Sequence, residues 1–376
     1  MTRHATRLCA LLALLSPVLA ACSTPAAAPR APAGAAATAP PPADTPVATA
    51  PAPRPPVQLK VATQRLASDV GFYVAQERGY FTEQGLDVEF VEITTGQGSI
   101  PPLAAGQLDV GVGAVSSGLF NAIARGIDIK LVATKGAVGL DPRGPFPGVQ
   151  ALVLGAEVAA SGAVREYADL RGKTIALPER GSGLDAMLHR GALQPAGLTA
   201  NDVEFKVMPY PDMLAALANR SVDAAMELEP FVAQGKARGI LVPWKTGAEL
   251  YPGQQAAAVV YGPTMRQLGE EAGNRLMVAY TRGLRDYNDA FGPKQLNRAE
   301  IVAILVRNTT VKDPALYDQM GWAYMNPDCY LNVEAMAWDL EWYIANGYVT
   351  QKPDLAQAVD HRYCDHAVQV LGRYQP

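Results

Sequence analysis

Between residues 57 and 134 the chain alternates strand-like and helix-like patterns, and this rhythm limits the fold more than any other feature. Val57–Thr63 places Val57, Leu59 and Val61 on one face, as a half-buried strand requires. Val70–Arg78 reads as a helix stopped at Gly79, and Asp87–Ile93 as the next strand. Ile100–Ala105 and Ser116–Arg125 read as helices closed by Gly106 and Gly126, with strands at Asp109–Gly113 and Asp128–Ala133. Strands joined by such helices predict βαβ units and a mainly parallel sheet.

After a Gly/Pro-rich loop, 136–148, the rhythm restarts with strands at Gln150–Leu154, Lys173–Leu177, Val203–Met208 and Val222–Met226. Helices are expected at Ser182–Leu193 and Pro211–Asn219. A second Gly/Pro stretch, 243–253, leads to a strand at Gln255–Tyr261 and then to helices at Glu270–Ala290, Arg298–Arg307, Pro314–Ala323 and Val333–Ala345. The fold class expected is therefore α/β in two lobes. Lobe 1 takes residues 57–148 plus 255–376, lobe 2 takes 149–254, and two chain crossings form a hinge.

The chain ahead of this body cannot pack a core, because 24 of the 34 residues in 23–56 are Ala or Pro. As polyproline II it could reach roughly 100 Å at about 3.1 Å per residue. Residues 1–21 carry Arg3 and Arg7, an apolar run from Leu8 and small residues at the end, the pattern of a secretory signal peptide. Leu19-Ala20-Ala21-Cys22 resembles a bacterial lipobox, which implies acylation of Cys22 and an extracytoplasmic body held by lipid alone. Beyond residue 21 the chain holds 30 basic and 36 acidic residues, a net charge near −6 that argues against nucleic acid. Cys329 and Cys364 could pair in an oxidising compartment or stay as separate buried thiols. His361-x-x-Cys364-x-His366 has no second ligand cluster nearby, so neither a metal nor another cofactor is expected.

Four segments carry a family resemblance. They are Val74-Ala75-Gln76-Glu77-Arg78-Gly79-Tyr80-Phe81 with Gly85-Leu86-Asp87-Val88, Leu103 to Gly111, Asp169 to Ala176, and Leu217 to Ala225 with Glu229-Pro230-Phe231. In this order they resemble the NMT1-like solute-binding proteins of ABC importers, the branch holding nitrate, taurine, alkanesulfonate and thiamine-precursor binders. The resemblance implies a periplasmic-binding-protein-like fold of type II with a ligand cleft between hinged lobes. It also implies a monomer that binds a small molecule and docks on a permease and its ATPase. One relative with this fold is a thiamine-pyrimidine synthase with a Cys-rich iron motif, which nothing here matches. A sensor module signalling to a membrane partner is the other alternative.

Open α/β sheets place their crevices at the carboxyl ends of strands, so the loops there hold the candidate site. They offer Gln64, Arg65 and Ser68, then Thr95 and Gln97, then Ser116 and Ser117. From lobe 2 come Gly181 and Ser182, Tyr210, and Glu227 and Glu229. Ser116 and Ser182 precede helices, where they serve either as N-caps or beside an anion cradle. Arg65 and Arg180 suit an anion, Gln64 and Gln97 a polar group, and Glu227 and Glu229 a donor-rich or cationic one. A zwitterion or nitrogen heterocycle reconciles these charges, with an aliphatic sulfonate as the alternative. In the resembling family Glu229 lies in a Glu/Asp-Pro turn, which favours a structural role, and the position of Leu228 often holds Trp. Phe72, Tyr210 and Trp244 are candidate cleft aromatics, whereas Trp322, Tyr324, Trp338, Trp342 and Tyr343 have the helical spacing of a C-terminal core.

Overall fold

The computed structural model describes residues 55–93, 97–141 and 143–376, so Cys22 and most of the Ala/Pro-rich segment lie outside the described residues. Two five-stranded sheets organise these residues. The first has the order β2-β1-β3-β10-β4, from β1 (Val57–Thr63), β2 (Leu86–Glu92), β3 (Val110–Ala114), β4 (Lys130–Ala137) and β10 (Gln255–Tyr261). The second has the order β7-β6-β8-β5-β9, from β5 (Gln150–Gly155), β6 (Thr174–Leu177), β7 (Glu204–Val207), β8 (Ala224–Leu228) and β9 (Leu241–Thr246). The same pattern is thus built twice.

In each sheet one strand runs against the rest. β10 is antiparallel to β3 and β4, and β5 to β8 and β9, while β1–β2, β1–β3, β6–β7 and β6–β8 are parallel. Each reversed strand follows a crossing from the other lobe, so the sheets are mixed, a refinement of the mainly parallel arrangement expected. The folding unit is α/β, two lobes joined by the crossings β4→β5 and β9→β10.

Strand β9 overlaps the start of the Gly/Pro stretch 243–253. Pro243 is tolerated because β9 is an edge strand, where a missing N–H need not break a ladder, and the β5–β9 register shifts beside it. The helix expected at Pro314–Ala323 is only a short 3-10 turn, Pro314–Asp318.

Helix α1 (Val70–Glu77) packs against a later 22-residue helix, Glu270–Phe291, through a close backbone approach. A Cβ at Gly71 would lie 2.6 Å from the Tyr280 ring, so glycine is required at this crossing. Around this contact the core runs from β1 through Leu276 and Tyr280 to the C-terminal segment, where Cys329 and Cys364 form a disulfide. The second sheet has a separate core on each face.

Candidate functional site

The strand ends of the two lobes face each other, and the loops after β3 and β6 touch. Ser117, which opens helix α2 (Ser117–Ala124), donates its amide to the Gly181 carbonyl at 3.3 Å. Gly181 has φ +70°, and a Cβ there would meet the Tyr348 ring at 2.7 Å and Ser117 Oγ at 3.1 Å. Only glycine fits at this meeting point. Gln254, in the crossing before β10, is buried and donates Nε2 to the Gly183 carbonyl at 2.8 Å.

In the loop after β1 the organising residue is Asp69, which is fully buried. Its Oδ2 accepts the amides of Gln64 and Leu66 and the Thr63 hydroxyl, each at 3.1 Å. Its Oδ1 lies 2.9 Å from the ammonium of Lys135, which is 1% exposed on β4 and also donates to Ser68 Oγ at 2.9 Å. Ser68 is thereby tied to an ion pair within its own lobe. Arg65 turns outward, to Glu92 at 3.6 Å and the Asn308 carbonyl at 3.4 Å. Gln64 is half-buried beside it. Thr95 lies outside the described residues, and Gln97 begins the turn Gln97–Ser99.

Ser182 caps helix α3 (Gly183–Leu188): its hydroxyl accepts the Asp185 amide at 3.3 Å and donates to the Glu179 carbonyl at 2.8 Å. Ser116 is buried at the N-cap of α2, in backbone of extended conformation. Arg180 is held by Asp185, Nε to Oδ2 at 2.9 Å, and its guanidinium lies 3.9 Å from the centre of the Phe205 ring. Both arginines suggested for an anion therefore have carboxylate partners of their own.

The two glutamates of the loop after β8 are wired differently. Glu229 Oε1 accepts the Gly321 amide at 2.8 Å, and Oε2 accepts the Ala233 amide at 3.1 Å, the latter from helix α4 (Phe231–Ala237). Burial pushes this carboxyl up to about 7, and the two amides act against that rise. Glu227 is fully buried; Oε1 accepts the Leu228 amide at 2.9 Å, and Oε2 has no hydrogen-bond partner among the described residues. Burial pushes it up to about 8, opposed by that amide, with the charge of Glu229 adding to the rise. Tyr210 stands beside it, half-buried and stacked on Phe231 at 6.2 Å; burial raises its phenol first, and the charges of Glu227 and Glu179 add to this.

The late aromatics do more than fill a C-terminal core. Helix α5 (Val333–Ala345) bridges the lobes: Tyr343 donates to the Val115 carbonyl at 3.3 Å, and Trp342 packs on His189 with centroids 5.1 Å apart. Trp338 meets Tyr251 edge-on at 5.3 Å. On the same face Asp339 is fully buried and receives Gln254 Nε2 at 3.4 Å. Burial pushes it up to about 8, against the hydrogen bonds of Gln254 and Tyr251 and the charge of Arg190. Phe72 is core, 4.4 Å from Tyr280, and Trp244 packs on Tyr167 at 5.4 Å. Of the metal-suggestive run, Cys364 is in the disulfide and His361 Nε2 accepts the Leu331 amide at 3.3 Å. A surface hollow of about 480 Å³ lined by Gly155, Glu157, Arg220 and Asp223 lies at the opposite strand ends, away from all these groups.

Asp69, Lys135, Gln254 and Asp339 were not singled out in the sequence. Asp339 had a visible signal, an acid on the apolar stripe Met336, Leu340, Tyr343. Lys135, just past the apolar run 131–133 and Thr134, had another.

Comparison with known proteins places this geometry among relatives. The model of the NMT1-like family matches residues 52–287. A putative binding protein of Brucella abortus is 33% identical over 152 residues, which are 40% of this chain and 41% of that protein. The 4-amino-5-hydroxymethyl-2-methylpyrimidine phosphate synthase of Saccharomyces cerevisiae is 30% identical over 169 residues, 44% of this chain and 46% of that enzyme. These matches thus span less than half the length of the curated relatives. Among solved structures, the periplasmic aliphatic sulphonate binding protein of Escherichia coli superposes with a TM-score of 0.64 at 18% identity, covering 81% of this chain and 97% of that one.

Proposed function

Because the chain belongs to the NMT1-like family, we propose that it is the solute-binding protein of an ABC importer. It works outside the cytoplasm, anchored by lipid on Cys22, and captures a small polar organic solute between its lobes for delivery to a permease and its ATPase. The observation that carries this reading is the meeting of one loop from each lobe, Ser117 to Gly181, between lobes joined by two crossings. Two rigid sheets on such a connection close over a ligand by rotation, without bond chemistry. The lining then falls to Gln64, Ser116, Ser117, Gly181, Tyr210 and Glu227. Arg65, Ser68, Ser182 and Glu229 shape the walls through the bonds described above.

The likeness to the yeast synthase favours a second reading, catalysis. Against it stands the cysteine count. The chain has four, and Cys329 and Cys364 are bonded to each other, which leaves no Cys-rich run.

A thermal-shift screen against sulfonates, amino acids, pyrimidines and aromatic acids tests the proposal. A solute at ~100 times its dissociation constant stabilises the folded chain by about 2.7 kcal/mol. A panel with no stabilising compound contradicts solute capture. Mass spectrometry of membrane-extracted protein tests the anchor, which Cys22→Ser should abolish.

A further inference from the structure

We propose that Glu227, with the Tyr210 hydroxyl beside it, is the subsite for a protonated nitrogen, an ammonium or amidinium group on the captured solute. This deepens the solute-binding reading above and rests on it.

Glu227 lies at the cleft-facing end of β8, where the antiparallel register sets it opposite Ala151. Residues opposite each other share a face, so its side chain lies on the face that carries Ala151, Met213 and Val232. On that face Oε2 has no hydrogen-bond partner among the described residues, and no ion pair reaches the carboxyl. Glu229, two residues on, has both oxygens engaged by amides. Of these two glutamates only Glu227 has the deficit; Asp339 Oδ1, on helix α5, shares it, whereas Asp69 Oδ1 and Asp185 Oδ1 lie within ion-pair distance of Lys135 and His189.

A buried acid with an idle oxygen is costly, and a cationic donor resolves it better than any other group. A sulfonate or carboxylate end could only accept a hydrogen bond from the protonated acid, and would bind without releasing its proton. A hydroxyl would supply a donor but no charge. The groups facing the carboxyl do not supply one either: Tyr210 is a neutral phenol, and Glu229 is acidic, as is Glu179 beyond Tyr210. When the cation arrives, Glu227 gives up its proton to solvent and remains as carboxylate, so binding near neutral pH is coupled to proton release. That coupling separates charge recognition from simple packing.

The test uses pairs of compounds that differ only in the cation: taurine with isethionate, γ-aminobutyrate with 4-hydroxybutyrate, and benzamidine with benzamide. Each is titrated by calorimetry into the purified full chain, in two buffers of different ionisation enthalpy. The expected result is that at least one member with the protonated nitrogen binds roughly 10–100-fold tighter than its partner lacking that cation. It should do so with proton release, and Glu227→Gln should remove both the preference and the proton release. Tyr210→Phe should weaken the preference while leaving the proton release in place. Members lacking the protonated nitrogen binding as well as those that carry it, or a preference that survives Glu227→Gln, overturns the subsite and leaves solute capture standing. Binding by no member of the panel removes the subsite, and the broader thermal-shift screen then decides separately on solute capture.

Discussion

Two buried carboxyls stand at facing strand ends, Asp69 in lobe 1 and Glu227 in lobe 2, and their surroundings could hardly differ more. Asp69 is engaged at both oxygens: Oδ2 takes two amides and the Thr63 and Tyr73 hydroxyls, and Oδ1 faces the Lys135 ammonium. Glu227 has one amide. Both are fully buried, so burial alone does not mark a functional acid. A saturated carboxylate builds its loop, whereas an unsaturated one has capacity left for something else.

The comparison breaks most visibly at Lys135. Lys135→Met leaves Asp69 as an uncompensated buried charge and should cost about 3–5 kcal/mol, read from urea unfolding. Adding Asp69→Asn to that variant should recover part of the loss. If the single variant unfolds like the wild type, the pair does not hold the loop.

Glu227 should act through pH instead. Its folded-state value of about 8 exceeds the ordinary 4.5, so the folded chain keeps a proton that the unfolded chain gives up. Stability from this group is fully present below pH 4.5 and is lost as pH rises towards 8, on the order of 1.4 kcal/mol per unit at most. Glu227→Gln should match the wild type near pH 4.5 and exceed it at pH 8. Asp339→Asn should flatten the same window, because burial pushes Asp339 up to about 8 as well. Unfolding curves at a series of pH values check both, and parallel curves for wild type and variant would contradict them.

Smaller effects sharpen the contrast within lobe 2. Glu229→Ala orphans the amides of Gly321 and Ala233 and should cost about 1–3 kcal/mol without changing solute preference. Ser182→Ala removes an N-cap and should cost about 1 kcal/mol, seen as a small drop in Tm.

Much of the fold was legible, because alternation and glycine stops are local. Val57–Thr63 and Gln255–Tyr261 form strands over the residues read, and Val333–Ala345 a helix. Strand β9 was hidden by Pro243, whose meaning depends on whether its strand is at an edge. The candidate site was legible as loops but not as bonds. Arg65 and Arg180 look alike in sequence, and their partners, Glu92 and Asp185, emerge only once the chain has folded. The Lys135–Ser68 contact spans 67 positions, beyond the reach of any local pattern. The aromatic spacing of 338–343 correctly indicated a buried helix. Spacing alone could not show that α5 would lie against both lobes, with Tyr343 on Val115 and Trp342 on His189.

The central claim is that the lobes close on a solute, and a distance between them tests it most directly. Spin labels at Glu89 in β2 and Arg238 beyond α4, both exposed, report one position in each lobe. With a solute found by the thermal screen, the account predicts a broad distance distribution that narrows and shortens on binding. A distribution unchanged at saturating solute would contradict capture by lobe closure.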